Sequence, residues 1–151
     1  VKNTVQGTYF LEGIVVRNGV IVAKLAIIEE YLKKLQEYFP VSLEQFKSDW
    51  GLQKIVERSL QVMIEVMIDI AERIIAQKSI TPQKTAADTL KKLRELGIIQ
   101  SDDAYSKMVR FRNLVVHQYD SIELGILYSI VQNNLDDFNK FVGEIKKYEG
   151  I

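Results

Sequence analysis

Apolar residues recur at three- and four-residue spacing through most of the chain after Val20, the period of helices that bury one face. From Val20 to Phe39 the stripe is Leu25, Ile28, Leu32 and Leu35, flanked by Glu29, Glu30, Lys33 and Lys34 at spacings that allow helical ion pairs, and Pro40 ends it. Ser42 is placed to cap a short helix through Phe46, and Asp49 to cap a long one from about Gly51 to Lys78. The inner face of that long helix reads as Ile55, Leu60, Ile64, Met67, Ile68, Ala71 and Ile75. Pro82 interrupts the chain before a helix over roughly Gln83 to Leu96, after which Gly97 suits a left-handed cap, with Ile98 and Ile99 folding back. Ser101 to Asp103 start the next helix with acids at its positive end. Asp120 and Glu123 then have capping-box spacing. One last helix is expected to run on towards Tyr148, with Ile122, Ile126, Ile130, Leu135, Phe138, Phe141, Val142 and Ile145 available to bury.

The pattern predicts an all-α fold over 20–151, an antiparallel up-and-down bundle of four to five main helices. Residues 1–19, VKNTVQGTYFLEGIVVRNG, break the period. Thr8 to Val16 suits a short strand or an irregular arm interrupted by Gly7, Gly13 and Gly19. Either this arm is ordered against a partner subunit, or it is translated upstream sequence.

Composition narrows the function classes. A chain of 151 residues, 47% hydrophobic, fits one domain with a substantial core. Twenty basic and twenty acidic side chains cancel, so any attraction for nucleic acid must be local. Zero cysteines excludes disulfides and thiol chemistry, and one histidine excludes a histidine cluster. The carboxylates show no calcium-loop or HExxH spacing, so no metal or other cofactor is expected. No uninterrupted apolar stretch reaches membrane-span length, and the opening residues do not resemble a signal peptide, which together predict a soluble cytoplasmic protein.

Candidate chemistry concentrates in Tyr105 to Tyr119, YSKMVRFRNLVVHQY, which holds the single histidine, three cations and no acid. Met108, Phe111 and Val115 follow helical spacing, and Leu114 and Val116 widen that face until the helix reads as well buried. On this helix Asn113 and His117 share a face, with Arg110 a further turn back, while Arg112 lies roughly 140° round the axis from His117. Three arrangements bring Arg112 and His117 together. The helix ends near Val116 and the chain turns, Arg112 curls round the axis, or a second copy completes the site across a two-fold axis.

An imidazole exchanges protons near neutrality and a guanidinium grips phosphate oxygens in pairs, so the set suits transfer at an RNA phosphodiester. Lys107 and Arg110 extend the local positive field and are candidate RNA contacts. Glu65 and Asp69, one turn apart on the long helix, suit contacts with cations or the solvated edge, and Glu65 is a candidate support for the cleft. Lys84, Lys91, Lys92 and Arg94 offer an extension of an RNA track, but most of them read as a solvated helix face. A structural reading of the motif is also open, with His117 hydrogen-bonded at a helix end, Arg112 paired with a carboxylate and Tyr119 filling core.

The run RNLVVHQY closely resembles the motif of HepT-like toxins in the HEPN superfamily: Arg, a polar residue, three further residues, His, any residue, Tyr. The resemblance extends over roughly Val20 to Gly150. It takes in Glu44 to Asp49 before LQVMIEVMIDIAERII, then LRELGII, then the motif at the end of the fourth major helix. The chain departs from the family in QKSITPQKTAADTL, which lacks the aromatic residue common before the LRELGII-like element, and in the residues before Val20.

The resemblance implies a homodimer with two motifs in a shared cleft. It further implies a metal-independent endoribonuclease toxin of a type VII HepT/MntA-like system, paired with an MntA-like nucleotidyltransferase antitoxin. Carried over, Arg112 and His117 are the catalytic pair, Asn113 supports them, and Tyr119 is the tyrosine the partner modifies with AMP, which opposes RNA by charge and bulk. The alternative is a non-catalytic helical partner, or substrate-binding subunit, of a nucleotidyltransferase, with Tyr119 in the docking surface. A third reading is a helical interaction domain without chemistry.

Overall fold

The computed structural model describes residues 3–5, 8–11, 14–17, 19–117 and 123–151, with side chains from 19 to 114 and from 123 onward. Among the described residues it has three short strands followed by seven helices. The strands are β1 (Asn3–Val5), β2 (Thr8–Leu11) and β3 (Ile14–Arg17), paired antiparallel in the order β1-β2-β3 with Thr4 opposite Tyr9 and Tyr9 opposite Val16. The extended reading of 8–16 therefore becomes two strands of a meander, β2 and β3.

The rest is an all-α bundle. Helix α1 (Gly19–Tyr38) buries Ile21, Leu25, Ile28, Leu32 and Leu35 against the longest helix, α3 (Trp50–Gln77). Between them, α2 (Leu43–Ser48) begins on a capping box in which Gln45 N–H donates to Ser42 Oγ (3.1 Å) and Ser42 N–H to Gln45 Oε1 (2.9 Å). Asp49 caps α3 by accepting from Leu52 N–H at 3.0 Å. Lys34 and Glu30 pair along α1 (2.9 Å), whereas Glu29 reaches across to Lys146 (3.1 Å).

Helix α4 (Ala86–Glu95) starts later than its sequence pattern suggested, because Thr85 caps it, accepting from Asp88 N–H at 3.1 Å. Its end is as expected: Gly97 sits at φ 76°, and Ile98 and Ile99 turn inward and are buried. Helix α5 (Asp103–His117) carries the motif.

The expected single terminal helix is in fact two, α6 (Leu124–Asn133) and α7 (Leu135–Glu149), broken at Asn134, whose φ of −123° is not helical. Asp120 lies outside the described residues, and Glu123 occupies the N-cap of α6 without a side-chain bond. Phe138, Phe141, Val142 and Ile145 of α7 are buried as expected, but Ile126 of α6 is exposed. On α3 the buried positions are Leu52 and Val56, not Ile55, a register difference of one residue at the helix start. No helix among the described residues is long and apolar enough to cross a membrane.

Candidate active site

Helix α5 is held at its start by contacts to α4 and α7. Arg94 of α4 pairs with Asp102 at 2.8 Å. Tyr105 is buried edge-on against Phe141 (centroids 5.3 Å apart, 83°), and its hydroxyl donates to Glu144 of α7. The same carboxylate accepts from Gln100 N–H at 2.6 Å, so one acid ties the loop before α5, α5 itself and α7 together. Burial, then the hydrogen bond to Glu144 and the charges of Glu144 and Asp137, raise the Tyr105 phenol above its ordinary 10.0. Nothing in the sequence pairs Tyr105 with Glu144, since they lie 39 residues apart.

Downstream, Met108, Val109 and Phe111 are buried, but Leu114 is 46% exposed, which corrects the expectation that it widens a fully buried face. Lys107, Arg110 and Asn113 are exposed and Arg112 is half-buried. Lys107, Arg110 and Leu114 line a groove between α5, α6 and α3. The Nε of Arg112 is buried, and among the described residues it has no hydrogen-bond partner. A buried guanidinium nitrogen without an acceptor is costly, so it is the kind of group that a ligand or a second chain satisfies.

The helix continues through Val116 to His117, so a turn before the histidine is not how the pair is assembled. By helical register Arg110, Asn113 and His117 fall on one flank, and Arg112 lies roughly 140° away on the other. The side chain of His117 and all of Tyr119 lie outside what is described. Glu65 is exposed on α3 and accepts from Gln61 Nε2 at 3.4 Å. Asp69 bridges Lys24 of α1 (2.5 Å) and Arg73 (3.3 Å). Burial raises the Asp69 carboxyl, but hydrogen bonds and charge from Lys24 and Arg73 outweigh it and hold the group below its ordinary 3.8. This is a strut between two helices, in keeping with the expected contact with cations. On α4, Lys92 pairs with Glu95 at 3.8 Å, as a solvated face does.

The chain is similar to known proteins along most of its length. The family model for ribonuclease HepT-like proteins matches residues 28–145. The chain is 34% identical over 131 residues to the mRNA nuclease HepT of Shewanella oneidensis, covering 85% of this chain and 98% of that protein. It is 26% identical over 131 residues to the tRNA nuclease HepT of Aphanizomenon flos-aquae, covering 85% and 89%. A solved structure of the tri-AMPylated Shewanella oneidensis HEPN toxin in complex with MNT antitoxin matches with a TM-score of 0.78 at 34% identity, over 86% of this chain and 98% of that one. With a family match across most of the helical bundle, and a relative aligned along almost its whole length, the chain belongs to the HepT-like ribonuclease family of HEPN toxins and is an endoribonuclease by class.

Proposed function

We propose that the protein is a metal-independent RNA-cleaving toxin whose site is completed by a second copy of α5 across a two-fold axis. The observation that carries this reading is Arg112. It sits on the same unbroken helix as His117 but on another side of it, half-buried, with an Nε that has no partner among the described residues. Within one protomer an intact helix separates the two positions, and a two-fold axis beside α5 brings the Arg112 of one copy towards the His117 of the other.

In this reaction the 2′-oxygen of a ribose bonds to the adjacent phosphorus as the bond from phosphorus to the 5′-oxygen breaks. The products are a 2′,3′-cyclic phosphate and a 5′-hydroxyl. His117 takes the proton of the 2′-hydroxyl or supplies that of the leaving 5′-oxygen, and solvent water exchanges the other proton. Arg112 places paired hydrogen bonds on the phosphoryl oxygens as charge builds there. Asn113 supports the pair, and Lys107 and Arg110 draw the strand in. The complex reported for the Shewanella relative supports an MntA-like nucleotidyltransferase as the partner. Adenylylation of Tyr119, two residues beyond His117, adds negative charge beside this cluster and excludes RNA.

The test is cleavage of single-stranded RNA by purified protein in excess chelator. Cyclic-phosphate ends are expected, with loss of cleavage in Arg112→Ala and His117→Ala proteins that remain folded. Cleavage that survives both substitutions rejects the site. Absence of cleavage alongside a tight nucleotidyltransferase complex favours the non-catalytic partner instead.

A further inference from the structure

On the face of α5 that carries Lys107, Arg110 and Leu114, a groove of about 280 Å³ opens towards α6 and α3. Its floor is apolar, formed by Ile64, Met108 and Phe111, while Leu114 and Ile126 stand exposed at its lip. The groove is therefore open to an occupant. Charge indicates which kind. Among the described residues two cations line the groove and no carboxylate does, in a chain whose acids and bases are equal in number. Neither cation is engaged in an ion pair among those residues. Size is compatible with that: at about 280 Å³ the groove lies near the lower end of ligand clefts, with room for one nucleobase.

Position links the groove to the motif. By helical register His117 follows Arg110 by two turns on nearly the same face, roughly 10 Å further along the axis. A ligand seated here therefore lies within about two helical turns of the His117 position. Apolar surface for a ring, flanked by cations for anions tethered to it, is how proteins hold unpaired nucleotides.

We propose that this groove is a base-binding subsite for single-stranded RNA. One unpaired nucleobase lies on the apolar floor beneath Leu114 and Ile126, and Lys107 and Arg110 hold the phosphates flanking it. The subsite rests on the ribonuclease reading of the same helix and adds a consequence to it: a paired base cannot enter, so the protein selects unpaired RNA next to the scissile bond.

The experiment measures binding of the full chain to two labelled oligomers of equal charge, by fluorescence anisotropy. One is a 2′-O-methyl RNA, which cannot be cleaved by 2′-attack, and the other is its abasic counterpart. The base-bearing oligomer is expected to bind about tenfold more tightly. Leu114→Glu and, independently, Ile126→Glu are expected to erase that preference without changing the oligomeric state, both positions being exposed. Lys107→Ala with Arg110→Ala is expected to weaken both oligomers alike and to flatten the salt dependence. Equal binding of the two oligomers by the unsubstituted protein overturns the subsite while leaving the nuclease reading intact. So does a Leu114→Glu protein that falls apart into monomers, because the groove is then a contact between copies. Binding of neither oligomer, with no cleavage of RNA, overturns both.

Discussion

At the scale of single residues, the role proposed for Arg112 sets function against stability. Its buried Nε has no acceptor among the described residues, so the fold gains nothing from that nitrogen and bears its desolvation. Replacing Arg112 with methionine, which keeps much of the stem and loses the polar head, is therefore expected to leave Tm unchanged or raise it. RNA cleavage is expected to fall by about 10²–10³-fold, the loss typical of removing a donor to a developing oxyanion. Arg112→Lys is not expected to restore the rate, because an ammonium lacks the paired geometry of the guanidinium. Thermal unfolding and single-turnover cleavage on the same samples check this, and a variant that loses stability and activity together assigns Arg112 a structural role. Tyr105 is the opposite case. Its raised phenol pKa means that the folded protein holds the neutral form. The stabilisation is therefore complete below the unfolded value near 10.0 and is lost as pH climbs from there towards the folded value. Tyr105→Phe is expected to cost about 1.5–3 kcal/mol at neutral pH, for a hydrogen bond to a carboxylate. It is also expected to remove part of the alkaline loss of stability, which urea melts at pH 7 and pH 10.5 measure.

Whole elements were legible in the sequence wherever one local rule decided them. The stripe of α1 and the caps at Ser42 and Asp49 depend on neighbours within four residues, and the chain states all three, although the reciprocal bond from Ser42 N–H to the Gln45 side chain was seen only in the fold. Gly97 is a similar case. At φ 76°, with nothing within 4 Å of the point a side-chain carbon would occupy, it is constrained by its backbone and not by space. Gly97→Ala is expected to cost about 1 kcal/mol, and Gly97→Asn less, because asparagine visits this region more readily. Chemical denaturation of the two variants separates this from a packing effect, which would penalise the larger side chain more. What the sequence left hidden depends on distant neighbours. Leu114 and Ile126 read as core because hydrophobicity does not distinguish a buried position from the lip of a groove, and only the packing of α6 beside α5 decides. The break at Asn134 separates two apolar runs that stay nearly in phase, so periodicity carried across it as one helix. The proposed pair was visible in the sequence as two residues five apart, Arg112 and His117. That the helix runs unbroken through both, with Arg112 half-buried, needed the fold.

At the scale of the whole molecule, the question is whether each site is built from one chain or two, and the two answers differ in what a mixture of dead proteins does. Take Arg112→Ala and His117→Ala, each expected to be inactive alone, and let their subunits exchange. If a site draws both groups from one chain, every site in the mixed dimer lacks one of them and activity stays absent. If it draws Arg112 from one copy and His117 from the other, the mixed dimer holds one site missing both groups and one site with both intact. Random pairing makes half the dimers mixed, so roughly a quarter of unsubstituted activity is expected to return, rising with the extent of exchange. The unbroken α5, which sets the two positions roughly 140° apart, favours the second outcome. A mixture that stays inactive after exchange has been verified by mass spectrometry requires Arg112 to reach His117 around its own helix, and the two-fold assembly of the site is then wrong.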